Sequence, residues 1–539
     1  MGKDEIAQAV EGAEILAFPG ARKATRAEGG AAAEFEHDRP CSGGGDSEPP
    51  KDDASPEEGD GGSGDLIDDM NREWSFVLMG SRAVVMRETP QAPIEDQTRV
   101  LSIDAFKAYF QNTFCPVLKR ERQEDGSYQT VRRYVSVAPY WLKHARRRTY
   151  DGIEFFPDPN NAPGTKGYFN LWRGFSVSPD METPAKERWK KYFTFQDHVK
   201  ANICDSNYEI YRWVWHWFAH LVQRPRERIG TAIVLRGKMG TGKTVVGDVI
   251  GSLFASHYFL VDDPRYLVGQ FNAHMGSCIL LQVDEGIWAG DKAAEGRLKG
   301  LVTAPKQMIE AKGVDPIRLD NYVRLLFSSN ENWVIPAGMD ERRFACFDVA
   351  DHWKEDHGRF AQLYAELNSG GREALLADLL SVDLDAPDAP NLRVIPKTPA
   401  LLEQKIRSLD PIAAWWLQRL EDGAQTHRAG AWREKVPAAM LFNDYLRTNE
   451  KIGVRRKASE TEFGIAIRRL VPGVERVRSV EEIEVWDEET LKPVQVTRRV
   501  WCLRFPSLAQ CKRSFEAALK QEFPWGEAVP EEEAEPDAI

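Results

Sequence analysis

Apolar residues at Tyr208, Tyr211, Trp215, Phe218 and Val222 recur at spacings of 3, 4, 3 and 4, which predicts an amphipathic helix. Just downstream the period changes. Residues 231–236, 278–284 and 322–330 are near-continuous apolar runs that end in polar residues, the pattern of strands buried on both faces of a parallel sheet. Residues 244–254 return to helical spacing, so this part of the chain reads as α/β. Upstream, residues 74–79 and 82–86 are strand-like, and the spacing predicts a helix over 102–114. Downstream, residues 411–420 and 438–447 are helical. Ser459 and Glu462 form a capping box opening another helix with Phe463, Ile467 and Leu470 on one face. Residues 483–486 and 494–505 predict two strands of a β-wing. Short β-like runs on either side of Lys312-Gly313 predict a hairpin with a lysine at its tip.

Composition sharpens this outline unevenly. The formal charge of −12 is concentrated outside the predicted elements. Residues 34–69 hold 13 acids against 2 bases and residues 527–539 hold six acids and no base, leaving residues 70–526 at +6. A mildly basic body between acidic ends permits a polyanionic partner. Residues 1–70 are rich in Gly, Ala, Ser and acids, too poor in apolar surface to order themselves. Seven cysteines, odd in number and without a C-x-x-C, argue against a disulfide framework or zinc ribbon. No apolar run spans a bilayer and no signal-peptide core opens the chain, so the expectation is a cytoplasmic protein without a membrane partner.

The chemistry lies at the ends of the predicted strands. Gly237-Lys-Met-Gly240-Thr241-Gly242-Lys243-Thr244 matches G-x-x-x-x-G-K-[ST], between a strand and a helix. Its glycines let successive N–H groups face a triphosphate, Lys243 reaches the β- and γ-phosphates, and the Thr244 hydroxyl sits on Mg²⁺. ATP and Mg²⁺ are the cofactors this predicts. The strand from Cys278 ends in Asp284-Glu285, where Asp284 would hold the metal's water shell and Glu285 would polarise an attacking water. Asn330 ends the third strand, placed to hydrogen-bond that water and the γ-phosphate. Arg342 and Arg343 follow, either one a candidate finger for a neighbouring subunit's γ-phosphate, or both a surface pair held by Asp340 and Glu341. His216 and His220 share a helix face but lack the glutamate of H-E-x-x-H, so they read as core or surface histidines. Trp213, Trp215 and Trp217 read as packing. Arg146-Arg147-Arg148 reads as a solvated charge run or a phosphate track.

Taken in order, Glu295-Gly-Arg-Leu-Lys299 through Thr303, Ile309-Glu-Ala-Lys312-Gly, Phe327-Ser-Ser-Asn330 and Asp340-Glu-Arg-Arg-Phe resemble superfamily 3 helicases. The nearest resemblance is to primase–helicase proteins of phages and mobile elements, related to poxvirus primase–helicases and virulence-associated E-type proteins. Residues 141–152 and 168–175 resemble the segment preceding the helicase in that family. The resemblance implies an AAA+-like P-loop core and a hexamer-like homo-oligomeric ring. Lys243, Thr244, Asp284, Glu285 and Asn330 would act within one subunit, Arg342 or Arg343 across the interface, and Lys312 on DNA in the channel.

The expected organisation is a disordered leader (1–70), an α+β or helical accessory region (71–200), the P-loop ATPase (201–380) and a Pro/Asp-rich linker (381–400). A winged-helix-like domain (401–526) and an acidic, disordered tail (527–539) follow. Arg468 and Arg469 on the second helix of the winged unit are candidate DNA contacts, although such units also bind proteins. Too little chain precedes residue 141 for a primase domain, so no primase activity is expected and a separate primase or replication protein is a possible partner. The expected function is an ATP-dependent helicase or replication ATPase acting on single-stranded or forked DNA. The alternative is an initiator or assembly switch that uses ATP without processive unwinding. A small-molecule kinase would leave the finger, the hairpin and the C-terminal unit without a role.

Overall fold

Three of the apolar runs form strands, and two strands that the pattern did not single out complete their sheet. β1 (Ala232–Arg236), β2 (Tyr258–Val261), β3 (Leu280–Asp284), β4 (Arg324–Ser329) and β5 (Phe344–Asp348) are all parallel, in the order β2-β3-β4-β1-β5. The computed structural model describes residues 63–124, 126–269, 272–285, 292–310, 315–487 and 492–526, and in it every residue of β1 and β4 is buried. Burial on both faces is what a continuous apolar run demands. The register aligns the carboxyl ends: Ser328 lies beside both Leu235 and Asp284. Whatever follows Arg236, Asp284 and Ser329 therefore emerges along one edge of the sheet.

The predicted helix before the sheet is α1 (Tyr208–Gln223), capped by the Asn207 side chain, which accepts from the Ile210 N–H. Its buried surface is wider than the predicted stripe. Trp213, Trp215 and Trp217 are all buried in the core while Tyr208 is exposed. The helix Arg372–Ser381 packs on it, and so does the segment that follows. That segment, 381–400, is not the linker its composition suggested. Arg212 of α1 and Arg224 just after it pair with Asp388 and Asp385, Trp213 Nε1 donates to Val394 O at 3.0 Å, and Gln223 Nε2 donates to Val382 O at 2.8 Å. Leu392 and Ile395 are buried in the main core. Proline and aspartate here reflect the absence of regular backbone hydrogen bonding, not an absence of packing.

Before α1, the chain forms a four-stranded sheet in the order Thr98–Ser102, Arg82–Glu88, Trp74–Met79, Thr149–Tyr150, with a separate hairpin, Phe114–Arg122 and Tyr128–Ser136. Three expectations are corrected in this region. The helix predicted over 102–114 covers only Ile103–Tyr109, and Phe114 already belongs to the hairpin. The leader was expected to reach residue 70, but Ser63–Glu73 is a helix with Ile67 and Met70 buried against Trp74, Phe106 and Trp141. Its apolar spacing is real and is masked by flanking acids. The triple arginine is structural: Arg146 pairs with Asp68, Arg147 lies 3.9 Å from the Phe76 ring, and Arg148 binds Glu88 at 2.6 Å. Residues 1–62 and the tail 527–539, both expected to be disordered, lie outside the described residues.

The C-terminal unit has its own core around Trp415, Trp416, Tyr445 and Phe463. It runs α2 (Pro411–Glu421), β6 (Lys435–Pro437), α3 (Ala438–Lys451), α4 (Glu460–Leu470), β7 (Glu475–Asp487), β8 (Lys492–Arg504) and α5 (Leu508–Leu519). The three strands are antiparallel in the order β6-β8-β7, and the predicted Ser459/Glu462 capping box is present on α4. β7 begins eight residues before the predicted strand, because its first half alternates charged and small residues and carries no apolar run. Among the described residues no helix is long and apolar enough to cross a membrane.

Candidate phosphate-binding site

The loop after β1 leads directly into the helix Lys243–Gly251. Gly242 caps that helix with φ +80°, in the left-handed region, and a Cβ there would approach Phe360 to 2.6 Å and His198 to 2.7 Å. Only glycine meets both demands. Among the described residues, the N–H groups of Met239, Gly240, Thr241 and Gly242 donate to no other protein group. Together with the helix N-terminus they form a concave set of unused donors, suited to an anion.

Lys243 is buried, and its Nζ donates to Gly237 O at 2.9 Å, Lys238 O at 2.7 Å and Asn330 Oδ1 at 2.6 Å. Burial pulls this ammonium below the usual lysine range, against the opposing attraction of Asp284 and Glu285. Thr244 Oγ1 donates to Asp284 Oδ2 at 3.1 Å, and Ser328 Oγ donates to Asp284 Oδ1 at 2.7 Å, so β4 fixes the carboxylate ending β3. Glu285 has φ +51°, rare outside glycine and costing about 1–3 kcal/mol, and the bend brings its carboxylate onto Asn330 Nδ2. Lys243, Thr244, Asp284, Glu285 and Asn330 line a cavity of about 370 Å³ that His357, Phe360 and Met239 also line.

Several residues that support the loop were not legible in the sequence. Asn202 Nδ2 donates to Thr241 O at 2.8 Å, while its Oδ1 accepts from the Trp353 N–H and its carbonyl from the Ala350 N–H. His198 Nε2 lies 3.1 Å from Gly242 O, wedged against Trp353 and Phe360, and burial lowers its pKa to about 4. On the helix side, Gln282 Nε2 donates to Thr244 O at 3.1 Å, and Tyr258 OH joins Gln282 to Asp248. Asn202, His198 and Gln282 lie 39, 44 and 38 residues from the loop residue each supports, and no local pattern announces them.

Other predicted residues are not part of this cluster. Arg342 is exposed, and Arg343 is held beside the buried Glu341 carboxylate at 3.9 Å. Arg343 O accepts from the N–H of Ala232, the first residue of β1. Both arginines therefore sit at the opposite end of the sheet from their own glycine-rich loop, roughly 17 Å away for a five-residue strand. Arg468 and Arg469 are exposed on the last turn of α4, in the C-terminal unit. Lys312 lies outside the described residues. Among the described residues no group of three or more His, Cys, Asp or Glu side chains could hold a metal, and His220 instead contacts Glu227 at 3.4 Å.

A parallel five-stranded core with a glycine-rich loop after one central strand and an acid pair at the end of another is a P-loop-like α/β architecture. Residues 235–343 match the model of a family of unknown function, DUF5906. The DNA primase-polymerase of Nitratiruptor phage NrS-1 is 24% identical over 250 residues, 46% of this chain. The match covers 34% of the phage protein, so the chain spans about a third of that relative's length. Two apo structures of the NrS-1 C-terminal region, one of them comprising residues 305–718, share the fold with TM-scores of 0.52. Their identities are 15% and 14%, covering 81% and 82% of this chain and 98% and 99% of theirs. The chain is thus similar, at low identity and over part of its length, to a phage DNA-replication protein.

Proposed function

We propose that this chain is an ATP-hydrolysing replication motor of the superfamily 3 helicase type, acting on DNA as a ring of identical subunits. The observation that carries this reading is the convergence of Lys243, Thr244, Asp284, Glu285 and Asn330 on one cavity at the carboxyl ends of parallel strands. The unused N–H groups of residues 239–242 would take the triphosphate, and Lys243 would exchange its loop carbonyls for phosphate oxygens. Thr244 Oγ1 and Asp284 fit the oxygen donors that Mg²⁺ prefers, and the ion would neutralise charge between the β- and γ-phosphates. Glu285 would orient and polarise the attacking water, with Asn330 between it and the lysine. Arg342, exposed and remote from its own loop, suits a finger acting on a neighbour's nucleotide.

The similarity to a phage primase-polymerase supports DNA as the partner, and a separate primase or replication protein is part of the same proposal. The helix–strand–helix–helix–hairpin order of the C-terminal unit is that of a winged helix, with Arg468 and Arg469 exposed on α4, the helix before the hairpin. That feature favours one second reading, a DNA-bound assembly switch. Steady-state ATP hydrolysis with and without single-stranded DNA separates them. A motor shows strong stimulation, activity per subunit that rises with protein concentration, and loss of hydrolysis in Lys243→Ala and Glu285→Gln. Hydrolysis that survives Glu285→Gln sinks the site assignment, and slow turnover indifferent to DNA favours the switch.

A further inference from the structure

The β7–β8 hairpin extends past the C-terminal core and, with the first turns of α3, walls a cleft of about 500 Å³. Register puts Arg478 opposite Trp501, Arg476 opposite Leu503 and Val480 opposite Arg499, so these side chains share the face of the hairpin that carries the buried Leu503. Trp501 is 42% exposed, with the Arg476 and Arg478 guanidiniums 4.4 and 4.7 Å from its ring. Arg447 of α3 closes the other wall.

Arginines outnumber acids in this cleft. Among the described residues Arg447, Arg476, Arg478 and Arg499 have no carboxylate partner. On the opposite face of the hairpin, by contrast, Glu481 lies across from Arg498. Two acids line the cleft, Glu460 and Asp444. Asp444 is buried and already accepts from Trp415 Nε1 at 2.9 Å, from the His427 N–H at 3.0 Å and from the His427 ring. It has little left to give the arginines. Arginines two residues apart on a strand stand about 6.7 Å apart, comparable to the step between phosphates of a stretched polynucleotide. An exposed aromatic ring among such cations is the combination that single-strand grooves use.

We propose that this cleft binds a single strand of nucleic acid, with phosphates on Arg447, Arg476, Arg478 and Arg499 and one base against Trp501. The site is separate from the Arg468/Arg469 helix face and from the phosphate loop, so it stands or falls independently of ATP hydrolysis.

The test is equilibrium binding of fluorescein-labelled dT20 to the full chain without nucleotide, read by anisotropy over a salt series. Trp501→Ala should weaken binding about tenfold. Arg476→Ala/Arg478→Ala should weaken it further and flatten the slope of log K against log salt by about 1.4, since each phosphate contact to a single strand contributes roughly 0.7. Thermal melts of both variants matching the parent confirm that these exposed changes leave the fold intact. Binding of dT20 by both variants with the parent's affinity and salt slope overturns the proposal. So does capture of polyglutamate as tightly as dT20, which would assign the cleft to an acidic polypeptide.

Discussion

Arg342 and Arg343 are adjacent in sequence and differ in what surrounds them. Arg343 lies against the Glu341 carboxylate, which is 1% exposed and also accepts from the N–H groups of Arg342 and Arg343. Arg342 has an exposed side chain and no such role. Arg342→Ala should therefore cut ATP hydrolysis on the order of 10³-fold, the size expected of a finger, with the unfolding midpoint unchanged. Arg343→Ala should instead cost about 1–3 kcal/mol of stability by stripping a buried carboxylate of its cation. Urea titration beside steady-state turnover separates the two, and equal losses of activity with equal stability would sink the distinction. Sequence could nominate the pair, but it could not choose between them. The choice rests on Glu341, whose burial is a tertiary fact. The loop residues were legible for the opposite reason: Gly237 to Thr244 is one contiguous stretch, and backbone curvature there demands specific residue types.

At the level of elements, the segment 381–400 shows how composition misleads. It reads as a tether, yet it fastens α1 against the core through Arg212, Trp213, Gln223 and Arg224. Trp213→Ala removes both a buried ring and the donor to Val394 O, and should destabilise the chain by about 3–5 kcal/mol. A shift in the urea midpoint measures this, and an unchanged midpoint would show that the segment is only draped on the surface. The strands tell a related story. β1, β3 and β4 were readable because each is an apolar run ending in polar residues. β2 has four residues and is only partly buried, so a run-based reading passes over it, whereas β5 is as long as β1 and β3, and its buried run ending in Asp348 was legible but not singled out. The first half of β7 was missed because its partners, not its own pattern, hold it in the sheet.

Across the whole molecule, His198, His220 and His257 are buried, and two of them, His198 and His257, join parts of the chain that are distant in sequence. His257 Nε2 accepts from the Arg173 N–H at 2.9 Å, and its Nδ1 faces Ser277 O at 2.7 Å, with Trp172 stacked at 4.5 Å. That geometry requires a neutral ring, because a second ring proton would face an N–H donor. Burial lowers the pKa of His198 and His257 to about 4 and of His220 to about 3. The unfolded rings titrate near 6.5. Stability from these groups is thus complete above about pH 6.5 and falls as pH drops toward 4, by about 1.4 kcal/mol per pH unit for each ring. Urea midpoints at pH 7 and pH 5 should differ accordingly, and equal midpoints would mean the rings are already reached by water. The sequence by itself determined the parallel α/β core, the glycine-rich loop, the acid pair and the strand-end asparagine, because each is local: a period, a run or a contiguous motif. Only the tertiary structure decided that Lys243 meets Asn330, that His198 and Asn202 brace the loop, that Arg342 is exposed at the far end of the sheet, and that Arg476 and Arg478 flank Trp501 in a cleft shared with Arg447 and Arg499. Those relations are set by strand order and register, which bring together residues that no local pattern connects.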